Sequence, residues 1–153
     1  MEYGLIGEHL PHSYSCEIHR NIGHYQYEIL ELPPQELSAF FARKVFKGIN
    51  VTIPYKQAVI PFLDEISQEA REIGAVNTIV NRNGRLCGYN TDFSGMFALL
   101  QYAGISVKDK KVLIVGAGAI AARRATVLTE FGAKVTVVAP EAGSGIQELA
   151  QAG

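Results

Sequence analysis

The chain is short of several things, and each shortage excludes a class of protein. It has no surplus of positive charge: 14 lysines and arginines stand against 15 aspartates and glutamates, for a formal net charge of -1. That balance offers no electrostatic footprint for a nucleic-acid backbone, and there is no acidic tail. Cysteine is scarce. Cys16 and Cys87 are far apart and share no metal-ligand spacing, so free thiols in a reducing compartment are expected, with no disulfide and no metal site. No apolar run approaches the ~20 residues that span a bilayer. The opening MEYGLIGEHLPHS lacks the basic start and apolar stretch of a signal peptide. A soluble, cytoplasmic protein that handles a small molecule is the expectation.

What is present is enough apolar material to bury a core: 48% of the 153 residues are hydrophobic and 19% charged. Residues 2–7 form a short apolar run ended by glycine, as a buried strand does. Ser13 is placed to cap a short helix reaching about Asn21. Residues 25–32 read as a second strand closed by Pro33-Pro34. Pro34 suits the first turn of a helix with Leu37, Phe40 and Phe41 on one side. Residues 48–52 are a third strand, and after Pro54 a helical segment turns Val59, Phe62 and Leu63 inward. Ser67 precedes a short helix stopped at Gly74. Residues 78–82 and 85–89 flank Asn83-Gly84, a strong hairpin signal because both turn residues tolerate positive φ. A helix is expected from Asp92 to about Ala103.

The composition changes past Gly104. Lys110-Lys111 leads into VLIVGAG, then a helix with Ile120, Val127, Leu128 and Phe131 about one face, then a fully apolar strand over 135–139. A last helix is expected over 144–152. The expected fold class is α/β. Residues 1–103 form an α/β domain with a mostly parallel sheet, and residues 104–153 form a partial βαβ unit of Rossmann type, with the hinge at Gly104.

The turn of that unit reads Gly116, Ala117, Gly118, Ala119, Ile120, Ala121, which fits G-x-G-x-x-A. Gly116 permits the tight exit from the strand, Gly118 lets a pyrophosphate approach the backbone, and Ala121 lets helix and strand pack closely. The free amides at the helix start then face the phosphates. Position in the unit makes this a dinucleotide-binding turn. An acidic side chain at the end of the next strand would suit NAD and an arginine would suit NADP; the strand ends Ala139-Pro140-Glu141.

Three polar clusters interrupt the apolar structure of the first region: His12 to Ser15, Asn50 to Lys56, and Asn77-Thr78 together with Asn90-Thr91-Asp92. Each lies at or near an apolar strand end, where α/β proteins build sites. Together they supply hydroxyls and amides for a polyhydroxylated ligand, with one lysine and one carboxylate for proton transfer. Each residue also has a plain structural role open to it. Lys56 could be a solvated surface charge, Asp92 and Ser13 helix caps, and Asn77 a turn residue.

The joint pattern resembles the shikimate dehydrogenases. YGLIGEHLPHSYS, KGINVTIPYK, GAVNT, GYNTDFSG and VLIVGAGAIA occur in that family's order and at about its spacing. The resemblance implies reduction of 3-dehydroshikimate to shikimate with NADPH, in chorismate and aromatic amino acid biosynthesis, or a close relative of that enzyme acting on shikimate or quinate. It implies that Ser13 and Ser15 hold the substrate carboxylate and that Thr52 and Asn77 bind substrate. Lys56 and Asp92 would hold the reacting hydroxyl and move its proton, and Gly116, Ala117, Gly118, Ala119 and Ile120 would form the diphosphate loop. The chain departs from the family at Cys16 and Arg20, where proline and asparagine are usual. It departs again at Pro140, where an arginine usually meets the 2′-phosphate, which opens the cofactor to NAD. Residues 112–141 are also similar to the NAD-using dehydrogenase of siroheme synthesis. The family's later strands, nicotinamide pocket and late glutamine have no counterpart before Gly153, so this chain alone is expected to lack turnover. A truncated, non-catalytic paralogue and a siroheme-type fragment are the alternatives.

Overall fold

The computed structural model describes residues 1–11 and 13–152, without the side chains at 93, 119, 123, 130 and 152. His12 of the first polar cluster therefore lies outside the described residues, as does the side chain of Ala119. The chain divides into two compact units, Met1–Asp92 and Phe93–Gly153. No helix among the described residues is long and apolar enough to cross a membrane.

The first unit is a six-stranded sheet. Its strands are β1 (Tyr3–Gly7), β2 (Glu28–Glu31), β3 (Gly48–Val51), β4 (Glu65–Ile66), β5 (Thr78–Arg82) and β6 (Arg85–Tyr89), in the spatial order β2-β1-β3-β5-β6-β4. The pairings β1–β2, β1–β3 and β4–β6 are parallel. The hairpin reverses β5, which makes β3–β5 and β5–β6 antiparallel. Asn83 (φ 55°) and Gly84 (φ 89°) form its turn, as the dipeptide predicts. Four helices decorate the sheet: α1 (Ser15–Ile22), α2 (Leu37–Arg43), α3 (Tyr55–Ala58) and α4 (Gln68–Ile73).

The core follows from the apolar stripes. Ile6, Ile49, Val51, Ile79 and Leu86 of the sheet meet Phe40 and Phe41 of α2, Phe46, and Val59 beyond α3. The phenylalanines interlock: Phe41 stacks on Phe62 at 5.1 Å between centroids and Phe40 on Phe46 at 5.4 Å. Gly74 ends α4 in the left-handed region, and the Ser67 hydroxyl caps its start by accepting from the Ala70 amide at 3.2 Å.

Three sequence expectations change here. Helix α1 starts at Ser15 with Tyr14 in the cap position and no side-chain cap from it; the Ser13 hydroxyl accepts the Ser15 amide at 3.3 Å instead, a side-chain turn over 13–15 that leads into the helix. Strand β2 is shorter than 25–32, because Tyr25 and Tyr27 engage the ring of His19 rather than the ladder. Strand β4 was not foreseen, since two residues carry no periodicity; Asp64 secures it by accepting the Leu86 amide at 2.7 Å.

The second unit runs from α5 (Asp92–Tyr102), whose first residue belongs to the first unit, through β7 (Lys111–Val115), α6 (Ala119–Glu130) and β8 (Lys134–Val138) to α7 (Ser144–Ala152). Strands β7 and β8 pair in parallel, giving the expected βαβ order. Ala117, Ala125 and Ile146 form its small core. Of the expected apolar face of α6, Val127 and Leu128 are buried and Phe131 stacks on Phe97 at 4.4 Å. Ile120 is 66% exposed, because it sits two turns earlier at the glycine turn, away from that contact.

Candidate active site

Strand direction gathers the polar clusters. Strands β1 and β3 run parallel, so the chain beyond Gly7 and beyond Val51 leaves the sheet at one edge. Strand β5 is antiparallel to β3 and begins there, and β6 returns to it, with Asn50 opposite Thr78 and Thr78 opposite Tyr89. The segments holding Ser13–Ser15, Thr52–Lys56, Asn77 and Asn90–Asp92 therefore meet, though they span nearly eighty residues of sequence. Backbone bonds lock the meeting. Val51 N–H donates to the Asn77 carbonyl at 2.9 Å, Asn77 N–H to Tyr89 at 3.0 Å, and Val76 N–H to Lys56 at 2.7 Å.

Lys56 Nζ donates to Asp92 Oδ2 at 2.7 Å. The other carboxylate oxygen, Oδ1, accepts from Asn77 Nδ2 at 2.9 Å. Asn77 is itself buried, and its Oδ1 accepts from the Thr91 amide at 2.9 Å, the Thr91 hydroxyl at 3.2 Å and the Thr78 hydroxyl at 3.0 Å. Asn90 is buried beside it: its side-chain amide donates to the Ala75 carbonyl at 2.9 Å and its oxygen accepts the Asp92 amide at 3.1 Å. Asp92 is therefore the first residue of α5 with its carboxylate committed to Lys56 and Asn77. Lys56 is not directed to bulk solvent alone. With 36% and 65% of their side chains exposed, the pair contributes only ~0–1 kcal/mol to folding. Its consequence is chemical: an ammonium oriented in a cleft, with donors to spare.

That cleft is an open cavity of about 420 Å³ lined by Ser13, Ser15, Thr52, Lys56, Asn77 and Asp92, all six of the expected substrate-site and catalytic residues. Ser13 Oγ lies 3.0 Å from Ser15 Oγ, two neutral hydroxyls side by side. Leu5, Leu10 and Ile18 supply apolar wall. Asn50, Thr91 and His19 line it too. The sequence placed Asn50 and Thr91 in polar clusters without singling them out. His19 was missed, although the signal was there: it lies four residues after Ser15 on α1, one helical turn along the same face.

The glycine turn of the second unit has the features its pattern requires. Gly116 takes φ 106°, open to glycine and strained for other residues, and its amide donates to the Val138 carbonyl at 2.8 Å. The Gly143 amide donates to the Ala117 carbonyl at 3.2 Å, tying the chain beyond β8 to the turn. An added Cβ at Gly116 or Gly118 would meet no atom within 4 Å. Among the described residues, the space directly over these two glycines is thus clear, as a diphosphate approaching the helix amides requires. The backbone of Ala119 and Ile120 forms the first turn of α6.

A polar cleft at the edge of a mixed sheet, followed in the chain by a strand, glycine turn and helix, defines the class: a two-unit α/β protein with a polar cleft in one unit and a dinucleotide-type turn in the other. Known proteins narrow this. Residues 5–79 match the model of the shikimate dehydrogenase substrate binding domain, and residues 104–152 match an NAD(P)-binding model. The shikimate dehydrogenase (NADP(+)) of Carboxydothermus hydrogenoformans is 44% identical over 142 residues, covering 88% of this chain and 51% of the relative. Shikimate 5-dehydrogenase from Thermus thermophilus, solved with NADP(H) and shikimate, matches with a TM-score of 0.76 at 36% identity, over 88% of this chain and 54% of that one. The 5-ketofructose reductase of a Gluconobacter species, solved ligand-free, matches with a TM-score of 0.75 at 30% identity, over 88% of this chain and 52% of that one. Residues 5–79 belong to the shikimate dehydrogenase substrate binding domain family. The chain spans about half the length of the curated relatives it matches.

Proposed function

We propose that the chain carries the substrate site of a cytoplasmic shikimate dehydrogenase, which reduces the ketone of 3-dehydroshikimate to the hydroxyl of shikimate. The observation that carries this reading is the Lys56–Asp92 pair, held by Asn77 in a cleft that also presents Ser13 and Ser15. Residues 1–103 act as the substrate domain and residues 104–153 carry the nucleotide-binding turn.

Lys56 has three N–H donors and spends one on Asp92, so others reach the ligand oxygen. As hydride arrives, negative charge grows on that oxygen, and the ammonium stabilises the developing alkoxide more than the neutral ketone. The proton that completes the hydroxyl comes from the Lys56–Asp92 pair acting as one coupled unit. The Ser13 and Ser15 hydroxyls donate to the substrate carboxylate, and Thr52 and Asn77 orient the ring hydroxyls. A reduced nicotinamide supplies the hydride when bound. Gly116, Ala117, Gly118, Ala119 and Ile120 hold its diphosphate. NADP is the cofactor by family, and the relatives' names support it. Pro140 follows β8 where the family's arginine would meet the 2′-phosphate, so discrimination against NAD is weak.

Titration of the purified chain by calorimetry tests the reading. Shikimate is expected to bind saturably and more tightly than quinate, and Lys56→Ala is expected to weaken it at least tenfold. A chain that is folded but indifferent to shikimate would end the proposal. NADP and NAD are expected to bind within about tenfold of each other; a strong NADP preference would assign the 2′-phosphate to another basic residue, such as Arg124.

A further inference from the structure

We propose that Tyr27 is a positioning residue for the Lys56–Asp92 pair, acting through a directed chain of side-chain hydrogen bonds that decides which way Asn50 and Asn77 face. The inference rests on the cleft being the ligand site. Tyr27 itself does not line that cleft. It precedes β2, with its ring stacked on His19 at 3.7 Å and 8° between planes, and its carbonyl accepts from Cys16 Sγ at 3.3 Å.

The polarity of the chain follows from groups that have only one role. A carboxylate only accepts, so Asn77 must turn its NH2 toward Asp92 Oδ1, 2.9 Å away. A backbone amide only donates, so Asn77 Oδ1 must face Thr91 N, 2.9 Å away. The Thr78 hydroxyl then donates to Asn77 Oδ1 at 3.0 Å and accepts from Asn50 Nδ2 at 3.2 Å. The second Asn50 amide hydrogen points to the Asn77 carbonyl, at 3.4 Å, another pure acceptor. Asn50 Oδ1 is left facing Tyr27, whose hydroxyl must donate, at 2.6 Å. From Tyr27 through Asn50, Thr78 and Asn77, every link donates toward Asp92. Burial, with the neighbouring Cys16 and Tyr25 adding to it, raises the Tyr27 phenol well above its ordinary value, so it stays a donor.

Without that donor, the Asn50 amide keeps, among the described residues, only the long 3.4 Å contact to the Asn77 carbonyl and the bond to Thr78, whose hydroxyl can reverse its role. If the amide turns over, its oxygen meets the Asn77 carbonyl and takes the Thr78 hydrogen, and Asn77 Oδ1 loses that partner. The orientation of Asn77 against Asp92 then loosens.

Tyr27→Phe keeps the ring stack and deletes the donor. In shikimate titrations of the chain it is expected to weaken binding about three- to tenfold, the range of one hydrogen bond. In an Asp92→Asn background it is expected to change binding less than about twofold, because the end of the relay is already altered. Equal losses in both backgrounds, or no loss in the first, would overturn the proposal. A second readout needs no ligand. In the side-chain amide NMR spectrum, Tyr27→Phe is expected to shift the Asn77 NH2 pair as well as that of Asn50. Thr78→Val, which cuts the chain one link on, is expected to reproduce the Asn77 shift with Tyr27 intact. Asn77 signals unmoved in both folded variants would overturn the relay. Failure of the wild-type chain to bind shikimate would instead count against the site reading, and the amide signals would still decide the relay.

Discussion

At the scale of single residues, charged groups that add little to folding stand apart from those that hold it. Lys56 and Asp92 are exposed enough that their pairing adds little stability. Lys56→Met should therefore leave the thermal unfolding midpoint nearly unchanged while weakening shikimate binding about tenfold or more, as expected for Lys56→Ala; a large drop in the midpoint would show a structural role instead. Asp64 is the contrasting carboxylate. The Leu86 amide, and after it the Lys44 ammonium, lower its pKa below the ordinary aspartate value. A lowered folded value means the contribution is complete above the unfolded pKa, about 4, and is lost as pH falls through the folded value. Wild type and Asp64→Asn should differ by a constant margin from pH 5 to 7, and the margin should close below pH 4. Urea unfolding at each pH measures it.

At the scale of elements, the two glycine-bearing turns behave differently under substitution. Gly84 needs φ 89° to close the hairpin, so Gly84→Val should cost about 1–3 kcal/mol of stability through backbone strain. Gly118 has ordinary extended backbone (φ -77°, ψ -178°) and open space above it. Gly118→Val should fold as well as wild type yet lose nicotinamide dinucleotide binding, because the side chain occupies the space a diphosphate needs. Equal nucleotide affinity in that variant would place the diphosphate elsewhere. Asn83-Gly84 and the G-x-G-x-x-A run were both legible from sequence, since each reports a local backbone requirement.

At the scale of the molecule, the two units are unequal in packing. The first buries Ile6, Ile49, Val51, Ile79 and Leu86 on its central strands beneath four phenylalanines. The second has a core of Ala117, Ala125 and Ile146, and one face of its two-stranded sheet leaves Leu113 63%, Val115 82% and Val138 54% exposed. Amide exchange measured on this chain should be slower in β1, β3, β5 and β6 than in β7 and β8 by at least about tenfold, as local opening follows buried apolar contact. Uniform exchange across both sheets would mean the units unfold as one.

The sequence by itself determined the elements that depend on near neighbours. Apolar runs, the Ser67 cap, the Gly74 stop, the hairpin and the glycine turn are all set by residues within a few positions of each other. It determined the identity of the polar clusters as well, and a resemblance over most of the chain supplied roles for them. The tertiary structure alone decided which members of each cluster face one another. Asp92 reads equally well as a helix cap until Lys56 and Asn77 are brought to it by the pairing of β3, β5 and β6. Ser13 reads as a cap until α1 begins two residues later and leaves its hydroxyl beside Ser15 in the cleft. Tyr27 carries no local signal at all, because its partner Asn50 is 23 positions away and reaches it only across the sheet. Local sequence sets backbone conformation through φ, ψ and periodicity; the direction of a side-chain hydrogen bond depends on donors and acceptors that only the folded chain assembles.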